Sequence, residues 1–321
     1  MRKYDVIIIG SGQGGNPLAH KLADQKWKVA LIERDQLGGT CVNVGCTPTK
    51  TMIASARIAH YARIATGFGV HTGSVEVRMK EVVRRKNKMV KQWRDGQQHH
   101  VDTRRSLHLY RAHARFVDSH TVDVNGTQLR SDSIVIDTGA RPRIPQLEGI
   151  HESGYLTSTT IMDVQDLPDH LIVLGGNYIG LEFGQMFRRF GSKVTVIEKA
   201  NRLIAREDEE VSTALQHVLE QEKMTFYLGA EAKKITRSSR GISLSFASGN
   251  GRKKTVTGSH LLVAVGRVPN TDDLGLEAAG VTNDSNGYIE TDEYLRTSTP
   301  CVWAIGDVKG GKITFKVDKA G

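Results

Sequence analysis

The sequence predicts an α/β protein made of two similar units with parallel sheets, to which antiparallel β-meanders are added. Two observations predict it. The chain opens with a strand, a glycine-rich turn, a helix and a second strand ending in an acid, and the same succession returns from His170. Each succession is followed further along by an apolar run and a turn of matching composition. A length of 321 residues leaves room for two domains, each with its own core.

The first succession is strand Asp5–Ile9, the turn Gly10-Ser11-Gly12-Gln13-Gly14-Gly15, a helix over Asn16–Gln25 and strand Lys28–Ile32 ending in Glu33. This is the Rossmann-like arrangement. Gly10 permits the turn, Gly12 lets a pyrophosphate approach the backbone, and Gly15 lets helix and strand pack closely. The helix N-terminus offers free N–H groups to the pyrophosphate, and Glu33 can accept hydrogen bonds from a ribose diol. The second succession is strand His170–Leu174, Gly175-Gly176-Asn177-Tyr178-Ile179-Gly180, a helix through Phe190 and strand Lys193–Ile197 ending in Glu198. Glycine and acid are 23 residues apart in both. Asn177 stands where the middle glycine belongs. Asn tolerates unusual backbone angles, so weakened rather than abolished binding is expected there.

The apolar runs Ser133–Ile136 and Leu261–Val263 can each close a parallel sheet. They lead into Asp137-Thr138-Gly139-Ala140-Arg141-Pro142 and Ala264-Val265-Gly266-Arg267-Val268-Pro269. A hairpin is expected at Asn125-Gly126, between Thr121–Val124 and Thr127–Leu129. A similar meander is expected from Ile242 to Val256, turning over Ser248-Gly249-Asn250-Gly251.

Composition narrows the classes. No apolar run approaches the roughly 20 residues needed to span a bilayer. The start, Met1-Arg2-Lys3 before Val6–Ile9, resembles a secretory leader only faintly and reads as a first strand, so a cytoplasmic protein is expected. The net charge of +9 is local: Arg78–Arg115 carries twelve Lys/Arg against three Asp/Glu. Met79, Val82, Val83, Val90 and Trp93 fall on one face at helical spacing, which leaves the basic residues on a solvated face. No nucleic-acid motif accompanies them, and no nucleic-acid partner is expected.

Only three cysteines occur, too few for a disulfide scaffold. Cys41 and Cys46 lie in Gly38-Gly39-Thr40-Cys41-Val42-Asn43-Val44-Gly45-Cys46-Thr47-Pro48-Thr49-Lys50, ahead of a helix-prone stretch Thr51–Ala65. Cys-x4-Cys can close a small disulfide ring, with both sulfurs near one face of a helical stretch. A helix start and Lys50 favour the reactive thiolate. No second cysteine pair or suitably spaced His supports a metal. The pair therefore reads as redox-active, and Cys301 as a small buried side chain.

The loop resembles that of the class I pyridine nucleotide-disulfide oxidoreductases, which include dihydrolipoamide dehydrogenase, glutathione reductase and mercuric reductase. The resemblance extends over both glycine turns, both exits and Pro300-Cys301-Val302-Trp303-Ala304-Ile305-Gly306-Asp307. Gly-Cys-Thr-Pro-Thr-Lys and Gly180–Gly191 are most similar to mercuric-reductase-like members. It implies FAD on the first unit, held by Gly10, Gly12, Gly15, Glu33, Thr40, Lys50, Ala114, Thr138, Gly139 and Asp307. It implies NAD(P)H on the second, held by Gly175, Asn177, Gly180, Glu198 and Gly266. Cys46 would face the flavin and Cys41 the substrate, a small-molecule disulfide or a soft metal ion such as Hg(II). Lys50 would pair with Glu182 near the flavin, and Tyr178 would cover the flavin until the nicotinamide displaces it. Glu198 favours NADH, while Lys199, Arg202 and Arg206 leave NADPH open.

The expected domains are 1–147 and 269–321 for FAD and 148–268 for the nicotinamide nucleotide. The family continues into a C-terminal domain that makes a homodimer and supplies a His–Glu acid–base pair. That continuation is absent from this sequence, whose ending from Val308 to Lys316 is unlike the usual one. Slow dithiol exchange and loss of the dimer are therefore expected. The alternatives are a flavoprotein that reduces only dyes or oxygen, and a non-catalytic flavin-binding remnant.

Overall fold

The computed structural model describes residues 1–249 and 251–310. The last turn of the expected meander, at Asn250, and the end of the return segment, from Gly311, lie outside the described residues. Among the described residues six α-helices form: α1 Gly15–Asp24, α2 Gly39–Val44, α3 Cys46–Ile64, α4 Met79–Asp102, α5 Tyr178–Phe190 and α6 Glu209–Gln221. The chain divides into two compact units. One comprises Met1–Asn43, Lys91–Arg141 and the described residues from Arg267; the other comprises Val44–Val90 and Pro142–Gly266.

In the first unit a five-stranded parallel sheet has the order Val302–Ala304, Ile134–Ile136, Val6–Ile9, Val29–Glu33, Leu107–Arg111. Its central strands are apolar at nearly every position because both faces are covered. Ile7, Ile9, Ile32, Ile134 and Ile136 pack with Phe116, Val122 and Leu129 of a four-stranded sheet. Val6, Ile8, Val29 and Leu31 pack with Ala19 and Ala23 of α1. The four-stranded sheet contains the expected hairpin: Asn125 and Gly126 take φ of 50° and 81°, the left-handed pair that a two-residue turn requires.

In the second unit a parallel sheet has the order Thr225–Tyr227, Lys193–Ile197, His170–Leu174, His260–Val263. One face, with Leu171, Val173, Val194 and Val196, packs on Phe183, Met186 and Phe187 of α5 and on Met52 and Ala56 of α3. The other face packs on an antiparallel meander, Glu231–Ser238, Gly241–Ala247 and Lys253–Gly258. The guanidinium of Arg63, in the last turn of α3, donates to the carbonyl oxygens of Arg189 and Phe190 at the end of α5. Those carbonyls have no partner within their own helix, so the contact fixes one helix against the other.

Three expectations about helices are corrected. The stretch expected to be helical from Thr51 is helical from Cys46, because Pro48 falls in the first turn, where a missing N–H costs nothing. Cys41 and Cys46 do not share one helical stretch: α2 ends at Val44, Gly45 takes φ −133° and ψ −116°, and Cys46 begins α3. In α4, Met79, Val83 and Val90 are buried as expected, but Trp93 is 51% exposed and Lys86 only 5%. The buried positions run 79, 83, 86, 90 and then 101, so the buried line includes Lys86 and is interrupted at Trp93. Lys86 is accommodated by an ion pair with Asp163, at 2.6 Å. Lys80, Arg84, Lys88 and Lys91 are exposed, as expected of a solvated face.

Candidate active site

The first glycine turn is tied together by an acid. Glu33 Oε2 accepts hydrogen bonds from Ser11 N at 3.0 Å and Ser11 Oγ at 2.6 Å, and Oε1 accepts from Asp35 N at 2.9 Å. Ser11 Oγ in turn accepts from Gly38 N at 3.2 Å, which joins this turn to the segment that becomes α2 with Thr40 and Cys41. Asn43 anchors the same segment. Its amide donates to the carbonyls of Gln36, Leu37 and Gly39, and its oxygen accepts from Arg94 Nε at 3.0 Å.

A Cβ on Gly12 would stand 2.7 Å from Asp137 Oδ2, so only glycine fits. No side chain caps α1 and no acid lies in its first turn. Its opening amides and the acid across the turn suit the pyrophosphate and ribose of a dinucleotide. One group departs from that pattern. Asp137 is buried and accepts from Gly15 N at 2.7 Å. Burial pushes its carboxyl up to about 7; Asp307 and Glu33 push the same way, against the amides of Gly15 and Gly14.

The exit Thr138–Gly139 is stitched to Asn270: Thr138 Oγ1 donates to its carbonyl, and its Nδ2 and backbone N donate to the oxygens of Thr138 and Gly139. Asp307 opens outward from the turn Gly306–Lys309, 3.6 Å from Arg267 Nε. Ala114 is buried at the start of the strand Ala114–Asp118. Cys301 is half-buried rather than buried, and its thiol donates to the carbonyl of Ser119.

The second turn repeats the first with Glu198 in the role of Glu33. Glu198 Oε2 accepts from Gly176 N at 2.5 Å and Oε1 from Ala200 N at 2.7 Å. Gly180 lies against the carbonyl of Gly175, and a Cβ there would collide with it. Asn177 needs no unusual backbone: its φ is −100° and ψ −179°, and its Oδ1 accepts from Tyr178 N at 2.8 Å, capping α5. Asn is therefore accommodated at this position as a cap and not through unusual backbone angles. Lys199 pairs with Glu231, and Arg202 donates to the carbonyls of Ala205 and Glu207.

Cys46 is an exposed free thiol at the first position of α3. One turn on, Lys50 makes an ion pair with Glu182 in the second turn of α5, as the sequence led us to expect. Tyr178 is 54% exposed and donates from its hydroxyl to Glu207, which pushes its own ionisation up. The sequence reading missed Asn43, Ser11, Asp137 and Glu207. Asn43 sits inside the cysteine loop and could have been noticed; the partners of the others are 22 or more residues away.

Among the described residues no helix is long and apolar enough to cross a membrane, and no group of three or more His, Cys, Asp or Glu could hold a metal ion. A family model described as pyridine nucleotide-disulphide oxidoreductase matches residues 4–318. A mercuric reductase of Lysinibacillus sphaericus is 36% identical over 308 residues, covering 96% of this chain and 56% of its own length. The chain thus spans little more than half of that relative. A dihydrolipoyl dehydrogenase of Acholeplasma laidlawii is 34% identical over 314 residues, covering 96% of this chain and 91% of its own. The solved Cu(II) complex of the HOCl-induced flavoprotein disulfide reductase RclA from Escherichia coli superposes with a TM-score of 0.86 at 32% identity, covering 97% of this chain and 67% of its own. The chain belongs to the pyridine nucleotide-disulphide oxidoreductase family, whose members depend on FAD and take electrons from NAD(P)H.

Proposed function

We propose that this chain carries electrons from NAD(P)H to the Cys41–Cys46 pair and from there to a small-molecule disulfide or a soft metal ion. The carrying observation is Cys46 at the amino end of a 19-residue helix, with Lys50 one turn further on and held by Glu182. A helix N-terminus favours negative charge, which suits a sulfur that must leave and re-form a disulfide as thiolate. FAD, when bound, would accept a hydride from the nicotinamide and release the electron pair to the disulfide. Gly10, Gly12, Gly15, Glu33 and Asp307 hold it in this reading, on residues 1–147 and 269–321. Gly175, Asn177, Gly180 and Glu198 hold the nicotinamide nucleotide, on 148–268. Lys50 and Glu182 are positioning residues. Cys41 meets the acceptor.

The test is an anaerobic titration with NADH that follows visible absorbance and free thiols together. A yellow protein should gain a pair of thiols as NADH is oxidised, with one further proton taken from water. A colourless protein, or NADH consumed with no new thiols, would overturn the reading.

NADH is the proposed donor. Glu198 would accept from a ribose 2′-hydroxyl and repel a 2′-phosphate, while Lys199 and Arg202 are engaged elsewhere. Glu198→Ala should narrow the NADH-over-NADPH ratio of kcat/KM by about tenfold, the worth of one hydrogen bond to a charged group. A native preference for NADPH sinks this assignment.

A further inference from the structure

Asp137 follows the strand Ile134–Ile136 and is 7% exposed. Nothing in the passage of electrons asks for a carboxyl there. Its Oδ2 accepts from Gly15 N at 2.7 Å, and the Gly14 amide also supports it. A Cβ on Gly12 would stand 2.7 Å from Oδ2, and one on Gly306 would stand 2.6 Å from Oδ1. The carboxyl therefore fills the space between the glycine turn, the start of α1 and the turn that carries Asp307.

Amides at this helix start are the donors that the fingerprint offers to a pyrophosphate. A carboxylate and a diphosphate are both anions, and both address the same few N–H groups. The charged groups facing Asp137 do not relieve the conflict. Glu33 ends the strand Val29–Glu33, one strand beyond Val6–Ile9, and Asp307 comes from the turn after Val302–Ala304; both are acids. Arg267 lies 3.6 Å from Asp307 through Nε, and its Nη2 donates to the carbonyl of Ala140. The groups that act on Asp137 most strongly include no cation.

Resting on the first turn as the FAD site, we propose that Asp137 makes FAD binding proton-linked: the cofactor is taken up with Asp137 in its neutral form. The balance is simple. Chain with Asp137 ionised, one proton from the buffer and FAD give the complex with Asp137 protonated. The neutral carboxyl keeps an oxygen to accept from Gly15 N and gains an O–H in place of its charge. Burial already brings this carboxyl up to about 7. A neighbouring diphosphate raises it further. Above that pH the complex binds more protons than the empty chain, so affinity falls as pH rises.

The test releases FAD from the loaded chain by dilution and ultrafiltration between pH 6 and pH 9, and measures proton uptake on rebinding at pH 8 by calorimetry in phosphate and in Tris. The expected result is uptake approaching one proton per FAD and a Kd that weakens by up to about tenfold per pH unit above pH 7. Asp137→Asn, which keeps an acceptor for Gly15 N, should bind more tightly at pH 8, without uptake and with a flat profile. Asp137→Ala should flatten it likewise. A native chain with no proton uptake, or an Asn variant that keeps the native slope, overturns the proposal while leaving FAD binding intact. A native chain that holds no FAD at any of these pH values overturns the FAD reading and this proposal together.

Discussion

Replacing Cys46 with Ser should lower NADH-driven disulfide reduction by about 10³-fold or more, since the step loses its only path through sulfur. Flavin should stay bound, because Cys46 is not among the residues proposed to hold it. The clean readout is electron count. In an anaerobic dithionite titration the native chain accepts an electron pair for the disulfide and another for the flavin; the variant accepts only the second. Unchanged electron uptake in Cys46→Ser would place the redox centre elsewhere. Activity on dyes should survive, so its loss alongside would indicate misfolding rather than missing sulfur.

The second large effect is structural. Gly10→Ala should destabilise the first unit by about 2–6 kcal/mol. Gly10 has φ +103°, which costs about 1–3 kcal/mol for a residue with a side chain. The new Cβ would also press on the backbone of Asp137, 2.6 Å from its carbonyl carbon, where overpacking adds about 1–3 kcal/mol. Backbone cannot swing aside as a side chain can. Urea unfolding should show a lower midpoint at unchanged slope. Gly126→Ala is the control: it also has positive φ, but open space surrounds it, so only the backbone cost of about 1–2 kcal/mol applies. Equal losses in the two variants would refute the collision at Gly10.

Much of the fold could be read from the sequence because its signals are local. Ile7, Ile8 and Ile9 mark a strand covered on both sides, and a glycine turn followed by a helix marks what comes next. Glu33 and Glu198 were found by counting from their glycines. Asn125-Gly126 specified its own turn. What escaped reading depends on contacts between residues distant in the chain. Asp137 passes for part of a turn until the fold carries it to Gly15, 122 positions away. Trp93 fits a helical stripe on paper, yet it is exposed, while Lys86 on the same stripe is buried and paired with Asp163. Gly45 separates two helices where spacing alone suggests one.

The paired acids of the glycine turns have a kinetic consequence. Glu33 holds the amide of Ser11, and Glu198 that of Gly176, through hydrogen bonds made wholly within the chain. Each turn is thus braced by the chain's own groups. Ligand encounter then resembles a key entering a cut lock rather than a loop closing over its guest: association should be limited by diffusion and orientation, and differences among nucleotides should show chiefly in how long they stay.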